Sequence, residues 1–92
     1  MLSNKEKFIF TSELALAISN GLQIEEGLKM LVGFDAGVSR CAKKLMDIMQ
    51  DGTSFVDALK QSNNFDEYMI QMVVVGQSIG NLDVVLKELS VY

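Results

Sequence analysis

No proline occurs anywhere in the 92 residues, so punctuation of the chain falls to its seven glycines. Gly21, Gly33, Gly37, Gly52 and Gly80 each fall near the end of a segment whose apolar residues recur at helical spacing. Glycine enters the left-handed conformation without a Cβ clash, which makes it the favoured residue just past a helix end. Read between these glycines, the sequence predicts an all-α fold of six helices, arranged as a bundle of antiparallel hairpins.

The first helix is expected from about Asn4 to Asn20. Phe8, Thr11, Leu14, Ala15 and Ile18 form one stripe, while Ile9, Phe10, Leu16 and Ala17 spread apolar character round most of the circumference. A helix of that kind is buried or meets a partner. The second, about Ile24 to Val32, carries Ile24, Leu28 and Leu31 on one side. Glu25 and Glu26 sit in its first turn, where the helix dipole favours negative charge. The third, about Ala36 to Gln50, lines up Val38, Cys41, Ala42, Leu45, Ile48 and Met49. The fourth, about Phe55 to Gln61, is opened by Ser54 with Asp57 three residues on, a capping-box pattern with Asp in place of Glu.

The fifth helix, Asp66 to Ile79, sets Met69, Met72, Val73, Gly76 and Ile79 on one face, with Ile70 and Val74 on the other. The sixth starts at Asn81, a favoured N-cap, and carries Leu82, Val85, Leu86 and Leu89 as its stripe. Val73, Val74 and Val75 favour a strand. Helical spacing continues on both sides of them, however, and no second strand candidate exists to pair with. GLQIEEGLKML and GTSFVDALKQS echo each other as a glycine corner followed by a short amphipathic helix. Any glycine-cornered helical hairpin produces that likeness without duplication.

The residue inventory removes several function classes. There is no histidine, the commonest acid–base catalyst and metal ligand. Cys41 is alone, which rules out an intramolecular disulfide, and its position mid-stripe reads as a small core hydrophobe. A net charge of −4 with scattered Lys and Arg argues against a nucleic-acid surface. The acid pairs Asp47/Asp51 and Glu25/Glu26 read as solvated. Zinc lacks ligands. Asp35, Asp51, Asp66 and Asp83 near helix ends are oxygen donors that a calcium site needs to converge. Gly76 and Gly80 form a GxxxG that reads as close helix packing and a helix end; a phosphate cradle needs a longer loop and a Lys. Met30, Met46, Met49, Met69 and Met72 read as core filling ahead of an adaptable groove.

No catalytic residue, metal or cofactor is therefore expected. No apolar run approaches the roughly 18–20 residues of a membrane span. The N-terminus lacks the order of an export signal. Hydrophobic residues nonetheless make up 49% of a small chain, so some must face outward or face a partner. Ile9, Leu16, Ile70 and Val74 are the residues this leaves for docking or self-association.

FTSELALAISNGLQIEEGLKML, followed by DGTSFVDALKQSNNFDEYMIQMVVVGQSIGNLDVVLKELSVY, resembles the cytoplasmic domain of the F family. These are the polytopic inner-membrane platform proteins of type II secretion systems and type IV pilus machines. The resemblance rests on Phe10-Thr11 to Leu14 with Gly21-Leu22, on Gly52, Ser54, Phe55, Ala58 and Leu59, on Phe65, and on Gly76, Gly80, Leu82 and Leu86. It spans about Phe8 to Tyr92. Gln77 stands where family members usually carry Glu, and Gln23 where a proline usually follows Gly-Leu. The resemblance implies a six-helix bundle without catalytic activity, in an assembly role. Implied partners are the secretion or pilus assembly ATPase and other inner-membrane platform components; a homodimer is the expectation that the apolar faces of the first and fifth helices add. It implies a domain excised from a larger protein at the cytoplasmic face of the inner membrane, reaching the membrane through regions outside this chain. A generic helical adaptor or regulatory module unrelated to secretion is the alternative reading.

Overall fold

Helices begin in this chain where oxygen atoms can take up the N–H groups that a first turn leaves without partners. The computed structural model describes residues 1–92 and contains six helices and no strand. Helix α1 (Asn4–Ser19) opens with a reciprocal box. The Glu6 N–H donates to Ser3 Oγ at 3.1 Å, and the Ser3 N–H donates to Glu6 Oε1 at 2.8 Å. At α2 (Ile24–Leu31) the Gln23 N–H donates to Glu26 Oε1 at 2.9 Å. Asp35, Ser54 and Asp66 cap α3 (Ala36–Met49), α4 (Phe55–Ser62) and α5 (Glu67–Ser78), each accepting from the N–H three residues on. The Ser54 cap lacks the return bond of a full box, since the Asp57 side chain is one methylene shorter than Glu. Asn81 stands at the N-cap of α6 (Leu82–Ser90), but its side chain makes no capping bond. Its N–H instead donates to the Gly76 carbonyl at 2.8 Å, tying α6 to the end of α5.

The Ser3–Glu6 box has a consequence for pH. Hydrogen bonds from Ser3 hold the Glu6 carboxyl below the usual carboxylate range, with the Arg40 charge as a smaller contribution. A depressed folded-state pKa stabilises the fold above the unfolded value, and that stabilisation is lost as pH falls through the folded value. The first turn of α1 should therefore fray below about pH 4. Protection factors of the amides of residues 4–8, taken relative to the intrinsic exchange rate at each pH, should fall there in the wild type and be already low, and insensitive to acid, in Ser3→Ala. Protection in the wild type that ignores acidification would count against the box.

Helix ends follow the glycines in part. Gly21, Gly52 and Gly80 hold φ of 91°, 97° and 76°, and Asn63 takes the same role after α4 at φ 59°. Gly37 does not end a segment. It lies in the first turn of α3, where it lets the Glu6 carboxylate press against the backbone.

Helix α1 packs most extensively on α6 and also touches α2 and α3, while α5 lies between α6 and α4. Lys7 meets Tyr92 at one end of the α1–α6 pair, and Ser19 and Asp83 share a groove at the other, so the two run antiparallel. Tyr68 against Tyr92, with Gly76 under Val85, makes α5 and α6 antiparallel as well. Helices α1, α6 and α5 thus form a layer with an inner side toward α2, α3 and α4. The inner side of α1 carries Phe10, Thr11, Leu14 and Ala17, and Phe8 is exposed rather than part of that stripe. Three neighbouring helices converge on the Phe10 side, which settles a choice that an all-round apolar helix leaves open. Thr11 is satisfied by donating to the Lys7 carbonyl at 2.7 Å. No buried side-chain nitrogen or oxygen lacks a partner.

Candidate interaction surface

The interior offers no room for a ligand. Its void of about 10 Å³ lies among Phe10, Phe55, Phe65 and Leu86, with Thr11 as the one polar neighbour. A water molecule needs about that volume plus two or more polar partners. Burial pushes the Cys41 thiol up to about 12, against a smaller opposing effect of Lys44. Cys41 is therefore a protonated core side chain at neutral pH, and a thiol in that state is a poor nucleophile.

Three of the four helix-end aspartates are occupied locally. Asp35 and Asp66 cap helices. Asp51 accepts from Thr53 Oγ1 at 2.7 Å and from the Thr53 N–H at 3.2 Å, which holds its carboxyl below the usual range. No group of three His, Cys, Asp or Glu side chains stands close enough to hold a metal ion. The methionines do not share a groove: Met69 is buried, Met46, Met49 and Met72 lean on the core, and Met30 is exposed.

What remains is surface, and the four residues singled out from the sequence divide there. Leu16 is 55% exposed and Val74 37%, Ile9 is half-buried, and Ile70 is only 7% exposed. Ile70 therefore belongs to the core, on the side of α5 where α4 packs. The residues expected to be structural sit as follows. Phe55, Leu59, Leu82 and Leu86 are in the core, Gly21, Gly52 and Gly80 end helices, and Gly76 is covered by Val85.

Two exposed apolar features escape the sequence reading. The first is a groove between α1 and α6. Phe8, Ala15, Leu16 and Val84 give it apolar lining, and Ser12, Glu13, Ser19, Asp83, Lys87 and Ser90 its polar lining. Phe8 and Val84 each have about half their surface in solvent. The second is a stripe on α5. Tyr68, Val75 and Ile79 are exposed and Met72 is half-buried among them. Ile79, which helical spacing groups with the inward face, is the C-cap of α5 and points out. At the Tyr68 end the ring lies 4.7 Å from that of Tyr92, and Lys7 Nζ sits 4.6 Å from the Tyr92 centroid. The signal for this stripe was present as the steps of four, three and four residues from 68 to 79.

The family model described as type II secretion system (T2SS), protein F matches residues 10–92. No curated protein is matched at a significant level. No helix is long and apolar enough to cross a membrane.

Proposed function

Because the chain belongs to the type II secretion system protein F family, we propose that it is a non-enzymatic scaffold domain of a type II secretion or type IV pilus machine. In this reading residues 1–92 form one folded domain at the cytoplasmic face of the inner membrane, and the membrane is crossed by regions of a larger protein outside these residues. Its work is to hold other components in place: the assembly ATPase and neighbouring platform proteins.

One observation carries the reading. Three exposed apolar side chains, Phe8, Leu16 and Val84, come together on the outer side of the α1–α6 pair, where they line one groove. Those side chains would leave water on docking, which favours association by about 25 cal/mol per Å² of apolar area, less the cost of ordering two bodies. Small residues in the lining, Ser12, Ala15, Ser19 and Ser90, leave room for a partner side chain. The polar lining carries both signs, Lys87 against Glu13 and Asp83, which serves orientation more than affinity.

The test is co-purification of the assembly ATPase with the parent platform protein from cells that express both. Leu16→Glu and Val84→Glu each force a charge into the groove and should lower recovery about tenfold or more. Both positions are exposed, so the fold should survive, as circular dichroism can check. Undiminished recovery with both variants would remove the groove from the proposal. No recovery with the wild type, of the ATPase or of any platform component, would favour a helical adaptor with a different partner.

A further inference from the structure

The hydrogen bonds inside the α1–α6 groove restrict what can lie in it. Each of its serines has already given its hydroxyl proton to a carbonyl of its own helix. Ser12 Oγ donates to the Phe8 carbonyl at 2.6 Å, Ser19 Oγ to that of Leu16 at 2.9 Å, and Ser90 Oγ to that of Lys87 at 2.5 Å. A hydroxyl spent in this way can still accept. Glu13 and Asp83 are acceptors only when ionised, so among the polar side chains of the lining Lys87 alone brings free donors. Along α1 the backbone adds none, because from Phe8 onward its N–H groups are held in the helix. The N–H groups of the first turn of α6 are the exception, and they share that turn with the Asp83 carboxylate. An extended segment laid on this surface would set its carbonyls against apolar side chains and acceptors, with their bonds to water lost. A helix arrives with its backbone already paired. The fold also has no strand edge to which an extended segment could be added.

We propose that the groove receives one amphipathic helix of a different protein, with an apolar stripe and with Lys or Arg along the edges of that stripe. This rests on the reading of the groove as a docking surface and adds what kind of element fills it. The apolar stripe meets Phe8, Leu16 and Val84, and the ridge it forms packs into the trough between two antiparallel helices. The cationic edges supply donors to Glu13, Asp83 and the serine oxygens, which have none of their own to offer. The lining runs along α1 from Phe8 to Ser19, about 16 Å of helix, so the contact takes about three turns. A net charge of −4 draws a basic helix in from a distance and speeds its encounter. An anionic lipid surface or a nucleic acid would bring acceptors to acceptors. A second copy of this chain fits poorly as well. Its exposed apolar stripe on α5 has no Lys or Arg anywhere between Glu67 and Asp83, so it carries no donor to the groove.

The probe is a synthetic peptide of about 14 residues, just under four turns, held helical by a lactam bridge. It carries Leu at helical spacing and Lys at both edges of the Leu stripe. One control has Glu for each Lys; the other keeps the Lys but has a central Pro and no bridge. Each is titrated into isotope-labelled residues 1–92, shown to be folded by circular dichroism. The Lys helix should shift the amides of Phe8–Ser19 and Asp83–Ser90, with a dissociation constant of about 10–1000 μM that rises with added salt. Both controls should bind about tenfold more weakly or worse. Glu13→Gln combined with Asp83→Asn should remove most of the preference for Lys over Glu. Equal binding of the Glu helix, equal binding of the Pro peptide, shifts confined to other surfaces, or no binding at about 1 mM each overturns the proposal. So do groove amides that shift on simple dilution of the chain, which would put a second copy there. If ATPase recovery is still lost in Leu16→Glu, any of these results leaves the groove as the docking surface and removes only the basic helix as its occupant.

Discussion

Phe10→Ala should destabilise the fold by about 3–5 kcal/mol, whereas Phe8→Ala, one residue pair earlier on the same helix, should change it by less than about 0.5 kcal/mol. Phe10 is 1% exposed, and its ring lies 5.2 Å from Phe65, tilted by 53°. That contact ties α1 to the segment that enters α5. It also borders a void of about 10 Å³, so truncation enlarges a space that neighbouring side chains already fail to fill. The loss combines the transfer term of the ring with a cavity term. For a chain of this length total stability is roughly 5–14 kcal/mol, so the variant should retain a small margin at best. Phe8 has half of its surface in solvent and contributes mainly to the groove rather than to the core. Urea denaturation of both variants checks the contrast, with the slope unchanged and the midpoint lowered only for Phe10→Ala. Equal losses at the two positions would mean that α1 is rotated from the orientation described.

The same pair of phenylalanines shows what the sequence could carry and what it could not. Helix existence was legible, because glycine at Gly21, Gly52 and Gly80 is a local backbone property and the apolar spacing on α3, α4 and α6 has a single solution. Rotation was legible only where a polar face opposed the apolar one. Helix α1 is apolar nearly all round, so spacing alone placed Phe8 with Leu14, and only the convergence of α2, α3 and α6 picks Phe10 instead. Helix α5 lacks charge between Glu67 and Asp83, so Ile70 and Val75 look equally able to face out. The choice between them depends on α4 arriving beside Ile70, a contact between segments that no window of sequence contains. The candidate surface was therefore half legible. Leu16 and Val74 are exposed; Tyr68, Val75 and Ile79 share a spacing visible in the sequence, but which way that stripe faces, and the meeting of Phe8 with Val84, follow only once the layer of α1, α6 and α5 is built.

The two glycines of Gly76-Gln-Ser-Ile-Gly80 should lose stability on substitution by different mechanisms, because each is a glycine for a different reason. A Cβ at Gly76 would stand 2.9 Å from Val85 Cγ2 and 3.2 Å from the Leu82 Cα. Val85 is β-branched and stiff at χ1, and the Leu82 contact is backbone, so relief requires α6 to move as a body. Helix propensity favours Ala over Gly by about 1 kcal/mol, which offsets part of the clash in Gly76→Ala. Gly76→Val adds further methyl groups to the same closed space and should cost about 3 kcal/mol. Gly80 has no atom within 4 Å of a Cβ, but its φ is 76°. Gly80→Ala should therefore cost about 1–2 kcal/mol from backbone strain alone, and Gly80→Asn should recover much of it, since Asn tolerates that conformation. Gly76→Asn should recover nothing. Chemical shifts separate the mechanisms: the Gly76 variants should perturb α6 and, through it, α1, while Gly80→Ala should perturb only the corner. If Gly80→Ala proves the more damaging of the two and leaves α6 resonances displaced, then the close seating of α6 on α5 through Val85 is wrong, and with it the outer layer on which the docking groove is built.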